Sequence, residues 1–311
     1  MIAITITIKI LSMRISDMNN MKLEEKNFPA LYQAADKASI DAQCVYYFAL
    51  RCYLILLIVA AFVSFYWPKG VYGALLSAIL FLVTLGILIW LKVQKPEDIW
   101  YNGRAVAESI KTRTWRWMMK AEPYENDFSE EQTQKEFLSD LKAILRQNRS
   151  LSSFLEWNPD LGEAISVEMK VVRSLSLAER LDIYKNERVD NQSIWYSKKS
   201  QFNKRKSKQW FIVSIVLHSA AVLMLLYRIK EPGATLPIEI MATAASAVLT
   251  WLQAKKHNEL KSSYTLAAHE IVLIKSEYAS INTDNQLSDF VVNSEAAFSR
   301  EHTQWTARKN D

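Results

Sequence analysis

The sequence predicts an all-α integral membrane protein: two transmembrane helical hairpins, four spans in all, with long cytoplasmic helices forming a bundle. Three observations carry that expectation. Half of the 311 residues are hydrophobic, but they are segregated into four stretches nearly free of charge, with segments dense in Lys, Arg, Asp and Glu between them. A mean hydropathy close to zero conceals this. Only 6 Gly and 7 Pro argue against a loop-rich β architecture and for long helices. Finally, Trp67, Trp90, Trp210 and Trp251 each stand at one end of an apolar stretch, where an amphipathic indole prefers the headgroup zone.

The chain opens with Ile2, Ile4, Ile6, Ile8 and Ile10 alternating with Ala3, Thr5, Thr7 and Lys9, a period-two pattern in an otherwise helical sequence. The run is too short to span a bilayer and no small-residue cleavage site follows it, so residues 1–24 are expected to be a disordered extension, with Met13, Met18 and Met21 as further plausible starts. The spans then fall at about 45–67 (around the single Arg51), 71–91, 210–227 and 236–252. A hydrocarbon core of ~30 Å takes roughly 17–25 helical residues. The second span meets this clearly and the others are short but adequate. Taken singly, the fourth also reads as a buried core helix; paired with the third across Pro232, Gly233 and Pro237 it reads as a hairpin arm. Pro68, Gly70 and Gly73 turn the first hairpin, and Glu239 faces the positive end of the fourth span's dipole. Cys44 and Cys52, eight residues apart on one helix, cannot pair and are expected to be small buried hydrophobes rather than a redox or metal site.

Basic residues set the orientation. Arg51, Lys92 and Lys95 flank the open end of the first hairpin, against Lys69 at its tip. At the second, Lys198, Lys199, Lys204, Arg205, Lys206, Lys208, Lys255 and Lys256 flank the open end, against Arg228 and Lys230. The positive-inside rule places both termini and the middle region in the cytoplasm. The juxtamembrane collar Lys198, Lys199, Lys204, Arg205, Lys206 and Lys208 is expected to touch anionic lipid of the inner leaflet; no nucleic acid is expected, and the net charge of +5 is mild.

A helix follows each hairpin. Pro96-Glu97-Asp98 opens the first, which runs through Ile99, Gly103, Val106, Ile110 and Trp117. In the second, Leu260, Tyr264, Ala267, Ile271, Ile274, Tyr278 and Ile281 keep a/d spacing, the mark of a helix packed lengthwise on a partner. Glu108 lies eighteen residues beyond Trp90 and Glu270 nineteen beyond Trp251, as in a diverged duplication of a helix–span–span–helix unit. The units run 25–125 and 174–311, joined by a helical linker over 126–173. Within the linker Ser129 and Gln132 predict a capping box before Phe137, Leu138, Leu141, Ile144 and Leu145. Val167, Met169 and Val171 alternate with charges and fit strand or helix. Ser176 and Glu179 open a long helix through Leu181, Tyr184, Arg188, Trp195 and Phe202 towards the third span. The last helix carries Phe290, Ser294, Phe298, Glu301 and Trp305 on one face.

No catalytic constellation stands out. The 4 His lack Cys or carboxylate partners at metal-ligand spacing, and there is no phosphate-binding Gly loop, so no cofactor, no metal and no enzyme activity are expected. Arg104 and Glu108 are spaced for a helix salt bridge. His218 lies mid-span one turn after Ser214, either a functional ionisable group or a neutral imidazole bonded to a neighbouring helix. Thr243, Ser246 and Thr250 form a polar stripe on the fourth span, beside the small residues Ala242, Ala244, Ala245 and Ala247. The stripe either lines a narrow aqueous path or packs closely against another helix.

The run Trp100-Tyr101-Asn102-Gly103-Arg104-Ala105-Val106-Ala107-Glu108-Ser109-Ile110-Lys111, followed by Trp115, Trp117 and Ala121-Glu122-Pro123-Tyr124, resembles the post-span helix of SLATT domains. These are two-transmembrane effector domains found beside bacterial nucleotide-second-messenger synthases and SLOG sensors. Ser174-Leu175-Ser176-Leu177-Ala178-Glu179-Arg180-Leu181 with Tyr184, Arg188, Asp190, Gln192, Trp195-Tyr196, Lys198-Lys199, Asn203 and Lys204 is similar to the approach helix of a second subtype, and Glu295, Glu301-His302 and Trp305 resemble its tail. The likeness covers nearly everything from about residue 25 onward, with Trp100, Arg104 and Glu108 as the motif helix. It implies a tandem SLATT protein of the bacterial inner membrane: an effector of an anti-phage or other conflict system that assembles as a homo-oligomer into a pore. The chain shows no nucleotide-sensing or SLOG domain of its own, so a sensor protein, a nucleotide second messenger bound by the cytoplasmic bundle, or simple oligomerisation would each fit as the trigger. The rival reading is a non-conducting anchor or scaffold that recruits a partner.

Overall fold

A computed structural model describes residues 23, 25–67, 70–125, 129–155 and 163–307, the side chains of residues 25 and 300–307 apart. The isoleucine alternation of residues 2–10, Pro68 and Lys69, and the side chains of Glu301, His302 and Trp305 lie outside the described part. Among the described residues every regular element is helical. In chain order these are α1 (Ala30–Tyr66), α2 (Val71–Gln94), α3 (Pro96–Met118), α4 (Glu130–Gln147), α5 (Val167–Ser174) and α6 (Leu177–Tyr184), then α7 (Asn191–Lys230), α8 (Ile238–Lys255), α9 (His257–Ser276) and α10 (Asp284–Ala307). Lys185–Asp190 forms a π-helical turn between α6 and α7.

By length and composition three helical stretches are able to cross a membrane: Ala30–Tyr66, Val71–Met118 and Leu177–Lys230. The fourth expected span forms α8, 18 residues with Glu239 near one end, Lys255 at the other and Ala and Thr between, and falls outside that group.

The local chemistry explains most boundaries. Pro96 occupies the first position of α3, where its missing N–H forfeits no helical bond. Just before it, Lys95 takes a left-handed conformation (φ 45°) and donates its N–H to the Leu91 carbonyl at 3.1 Å, ending α2. Lys256 repeats this at φ 49°, donating to the Leu252 carbonyl at 3.0 Å between α8 and α9. Each such lysine lies five residues after a tryptophan, Trp90 or Trp251, so the left-handed junction between an apolar helix and the helix that follows it is built twice in the same register. Glycine is required at position 73, where a Cβ would stand 2.1 Å from the Trp67 carbonyl oxygen across the hairpin turn.

Ser176 and Glu179 close a full capping box on α6, whereas at α4 Ser129 accepts from the Gln132 N–H at 3.3 Å, one half of the expected pair. The segment left open between strand and helix is α5, capped by Ser166. The a/d seam ends earlier than its spacing predicts: α9 stops at Ser276 and Tyr278–Ser280 is a 3₁₀ turn, although Ala267, Ile271 and Ile281 are all buried.

The chain forms two compact units. The first takes in the residues up to Asp41, Asp98–Ser197 and Tyr264 onward; the second is Ala42–Glu97 with Lys198–Ser263. The first has an aromatic core: Phe28 against Trp115 (6.1 Å between centroids), Trp115 against Tyr184 (5.5 Å) and Tyr184 against Phe290 (6.0 Å), with Trp117, Phe137 and Tyr124 packed beside them. Gly103 lets α3 approach α1 there: a Cβ would stand 3.1 Å from the Ala35 carbonyl oxygen. The second unit has a small core, Leu50 and Leu54 of α1 on Ala247 of α8, while Tyr72, Leu82, Leu223 and Ile229 are exposed at 89%, 66%, 66% and 76%. Apolar surface on this scale marks contact with lipid or another chain.

Candidate functional site

The core of the first unit holds a buried carboxylate. Glu295, on α10, is fully buried, and both of its oxygens are occupied. Oε1 accepts from Arg188 Nε at 2.8 Å and from the Tyr184 hydroxyl at 3.0 Å. Oε2 accepts from Arg188 Nη2 at 2.7 Å and from the Thr112 hydroxyl at 2.9 Å. The fork-on-fork pairing is the strong form of a charged hydrogen bond. Burial alone would push Arg188 down, but the adjoining Glu295 carboxylate outweighs it and holds the guanidinium above its ordinary value. Burial, with the Glu295 charge second, pushes the Tyr184 hydroxyl well up, so it remains a donor. Arg188 sits inside the π turn, where the widened backbone adds one residue to the α6–α7 path. Its guanidinium lies over the Phe298 ring, 4.9 Å from the centroid.

Two more arginines are buried close to the end of α3. Arg173 donates to the Trp117 and Tyr124 carbonyls, and Arg180 donates to the Met119 carbonyl at 2.6 Å while pairing with Asp284. Cations on the terminal carbonyls of a helix are where its dipole wants them. Burial pushes Arg173 down to about 10, so it stays charged at neutral pH. These groups hold the C-terminal turn of α3 against α5, α6 and α10.

The sequence-predicted residues fall in several places. Arg104 and Glu108 form their i,i+4 bridge at 3.3 Å, with 40% and 25% of each side chain exposed, a partly solvated pair. Trp100 stacks on Tyr101 (4.5 Å) and its carbonyl accepts from the Ser39 hydroxyl at 3.0 Å, tying α3 to α1. Lys198, Lys199, Lys204, Arg205 and Lys208 are exposed on α7, and Lys206 half-buried beside the Phe202 ring. His218 is exposed on α7 and its Nδ1 lies 2.7 Å from the Ser214 carbonyl of its own helix, not on a neighbouring one. Thr243 is half-buried while Ser246 and Thr250 are exposed, and the threonine hydroxyls donate to the Glu239 and Ser246 carbonyls one turn back at 2.8 and 3.0 Å. The buried residues of α8 are instead Ile238, Ile240, Ala245 and Ala247. Ser246 and Thr250 therefore face out of their unit and Thr243 only partly, with the threonine hydroxyls already satisfied. Among the described residues no hydrogen bond joins His218 to the stripe, or the stripe to the collar.

Cys44 is exposed and Cys52 half-buried, so the expectation of two buried small hydrophobes is corrected: both border an open groove between α1 and α2. Arg188 and Glu295 stand out singly in the sequence, and nothing local pairs them. The available signal was a charge in register with Leu181, Tyr184 and Trp195 on an apolar face, which demands a buried partner.

Two family models match the chain in tandem. Residues 29–181 match SMODS and SLOG-associating 2TM effector domain 3, and residues 184–305 match SMODS and SLOG-associating 2TM effector domain 1. Thr112 belongs to the first matched stretch and Tyr184, Arg188 and Glu295 to the second, so the buried carboxylate ties the two together. None of the curated proteins and none of the solved structures compared matches the chain. With two such domains in succession over nearly its whole length, the chain belongs to the SMODS and SLOG-associating 2TM effector (SLATT) family, as a tandem member.

Proposed function

We propose that this membrane effector acts in a bacterial anti-phage or conflict system by assembling copies of itself into a pore that dissipates ion gradients across the inner membrane. In this reading α8 is the fourth span: at 18 residues and 1.5 Å per residue it extends about 27 Å, close to a ~30 Å core, and it pairs with α7 across the short turn before Pro237. Both termini and the first unit lie in the cytoplasm, with the basic collar on anionic inner-leaflet lipid. A nucleotide second messenger or a sensor protein supplies the trigger.

The observation that carries the proposal is the exposure of Ser246 and Thr250 on α8, with Thr243 half-buried on the same side of the helix. A single chain does not enclose them, so a path lined by this stripe forms only when several copies bring their α8 faces together. Self-bonded hydroxyls make the face tolerable in lipid before assembly, and the exposed apolar faces of α2 and α7 leave room for lipid outside the ring. The test is membrane potential in bacteria, followed with a voltage-sensitive dye during induced expression and phage challenge. Depolarisation that tracks growth arrest, and disappears when the stripe is made apolar by Thr243→Val, Ser246→Ala and Thr250→Val together, supports the pore. Unchanged potential with full-length protein in the membrane supports the anchor or scaffold instead.

A further inference from the structure

The second unit contains an open groove of about 1190 Å³ between α1 and α2. Its walls are apolar, with Val45, Phe48, Val83 and Trp90 exposed at 44%, 68%, 46% and 42%. Its charged groups are of one sign: Arg51 and Lys255 line it and no Asp or Glu does. Neither cation has a carboxylate partner among the described residues. Both instead rest over the Trp251 indole, at 5.4 and 5.0 Å from its centroid, and Lys255 also lies over the Tyr47 ring. Two like charges gathered on one indole, beside an apolar trough, leave a concentrated positive site with no anion supplied by the described chain.

We propose that this groove binds one anionic phospholipid, its phosphate held between Arg51 and Lys255 and an acyl chain laid against Phe48, Val83 and Gly86. Charge complementarity identifies the headgroup: an uncompensated cation facing a bilayer is expensive, and a phosphate offsets it. The length fits an acyl chain better than a helix. On α1 the groove runs from Gln43 to Cys52, ten residues or about 14 Å of helix. That is no more than one leaflet's share, about half, of a ~30 Å hydrocarbon core. A transmembrane helix of a second copy would need a seat about twice as long. The proposal rests on the membrane placement of α1 and α2 and is independent of whether the assembly conducts.

The test is lipid retention by the full chain, purified from bacterial membranes in mild detergent, exposed to equal phosphatidylglycerol and phosphatidylcholine, and weighed by native mass spectrometry. The wild-type chain is expected to keep about one phosphatidylglycerol per chain in preference to phosphatidylcholine. Arg51→Gln with Lys255→Gln is expected to lose that preference. Gly86→Leu fills the trough while leaving the charges in place, and because a Cβ at 86 meets nothing within 4 Å the substitution should fold and lose the bound lipid. Equal, unselective retention by the wild type and both variants overturns the proposal. So does a dimer linked through Cys44 or Cys52 by a lipid-permeant bismaleimide in native membranes, which would seat a second copy in the groove. Recovery of the chain in the soluble fraction would overturn the membrane placement itself, a result fractionation reads before any lipid is weighed.

Discussion

Removing Glu295 should unfold the first unit far more readily than removing both partners of its ion pair. Glu295→Leu leaves the Arg188 guanidinium, which makes two bonds to that carboxylate at 2.8 and 2.7 Å, as an uncompensated charge in an aromatic core. It also leaves the buried Tyr184 hydroxyl without its acceptor. Breaking a buried pair from one side costs about 3–5 kcal/mol. At roughly 2–4 °C per kcal/mol for a domain of about 150–250 residues, the midpoint should fall by about 6–20 °C. The double variant Arg188→Met, Glu295→Leu removes both charges and keeps the volume, so it should recover most of the loss. Tryptophan fluorescence is a direct assay, since Trp115 packs on Tyr184 at 5.5 Å. A single variant that melts within about 2 °C of wild type, or a double variant that falls by the sum of the two single changes, would refute the reasoning.

Three further outcomes follow from the backbone and the charge map. Lys95→Gly and Lys256→Gly should each stabilise by about 1 kcal/mol, because both lysines hold left-handed backbone that glycine adopts freely; a lowered midpoint would contradict this. Gly73→Ala should destabilise the first hairpin by about 1–3 kcal/mol, read as lower yield of membrane-integrated, protease-resistant protein, since the new methyl meets the Trp67 carbonyl. His257, whose Nδ1 lies 2.7 Å from Asn203 Oδ1, is pushed down first by burial and then by Lys255 and Lys206. A base with a depressed folded pKa contributes stability above its unfolded value of about 6.5 and loses it as pH falls towards the folded value. Thermal midpoints in detergent should thus drop between about pH 7.5 and 5.5 more for wild type than for His257→Gln, and parallel curves would sink the assignment.

Much of the architecture was legible because bilayer physics writes strongly in sequence. Uncharged runs bounded by Trp67, Trp90 and Trp210 gave the long apolar helices, and Ser176 with Glu179 gave the start of α6. The boundaries that spacing missed are those set by a single residue's backbone. Nothing in the pattern of Ile274, Tyr278 and Ile281 says that α9 stops at Ser276. Likewise the left-handed turns at Lys95 and Lys256 occur at a residue with no intrinsic preference for them. The buried carboxylate was half legible. Arg188 announced itself by sitting on an apolar face, but its partner Glu295 lies more than a hundred residues away, and no local spacing joins the two. The direction of the α8 stripe was open for a related reason: Ala245 and Ala247 pack as well as the hydroxyl face would, and only tertiary contact chooses between them.

The most direct test of the pore is ionic current through planar bilayers containing phosphatidylglycerol after addition of the purified full-length chain. Discrete conductance steps in the wild type that vanish with Thr243→Val, Ser246→Ala and Thr250→Val are the predicted result. Chain inserted in the bilayer, verified by protease protection, with no current at any voltage would contradict it.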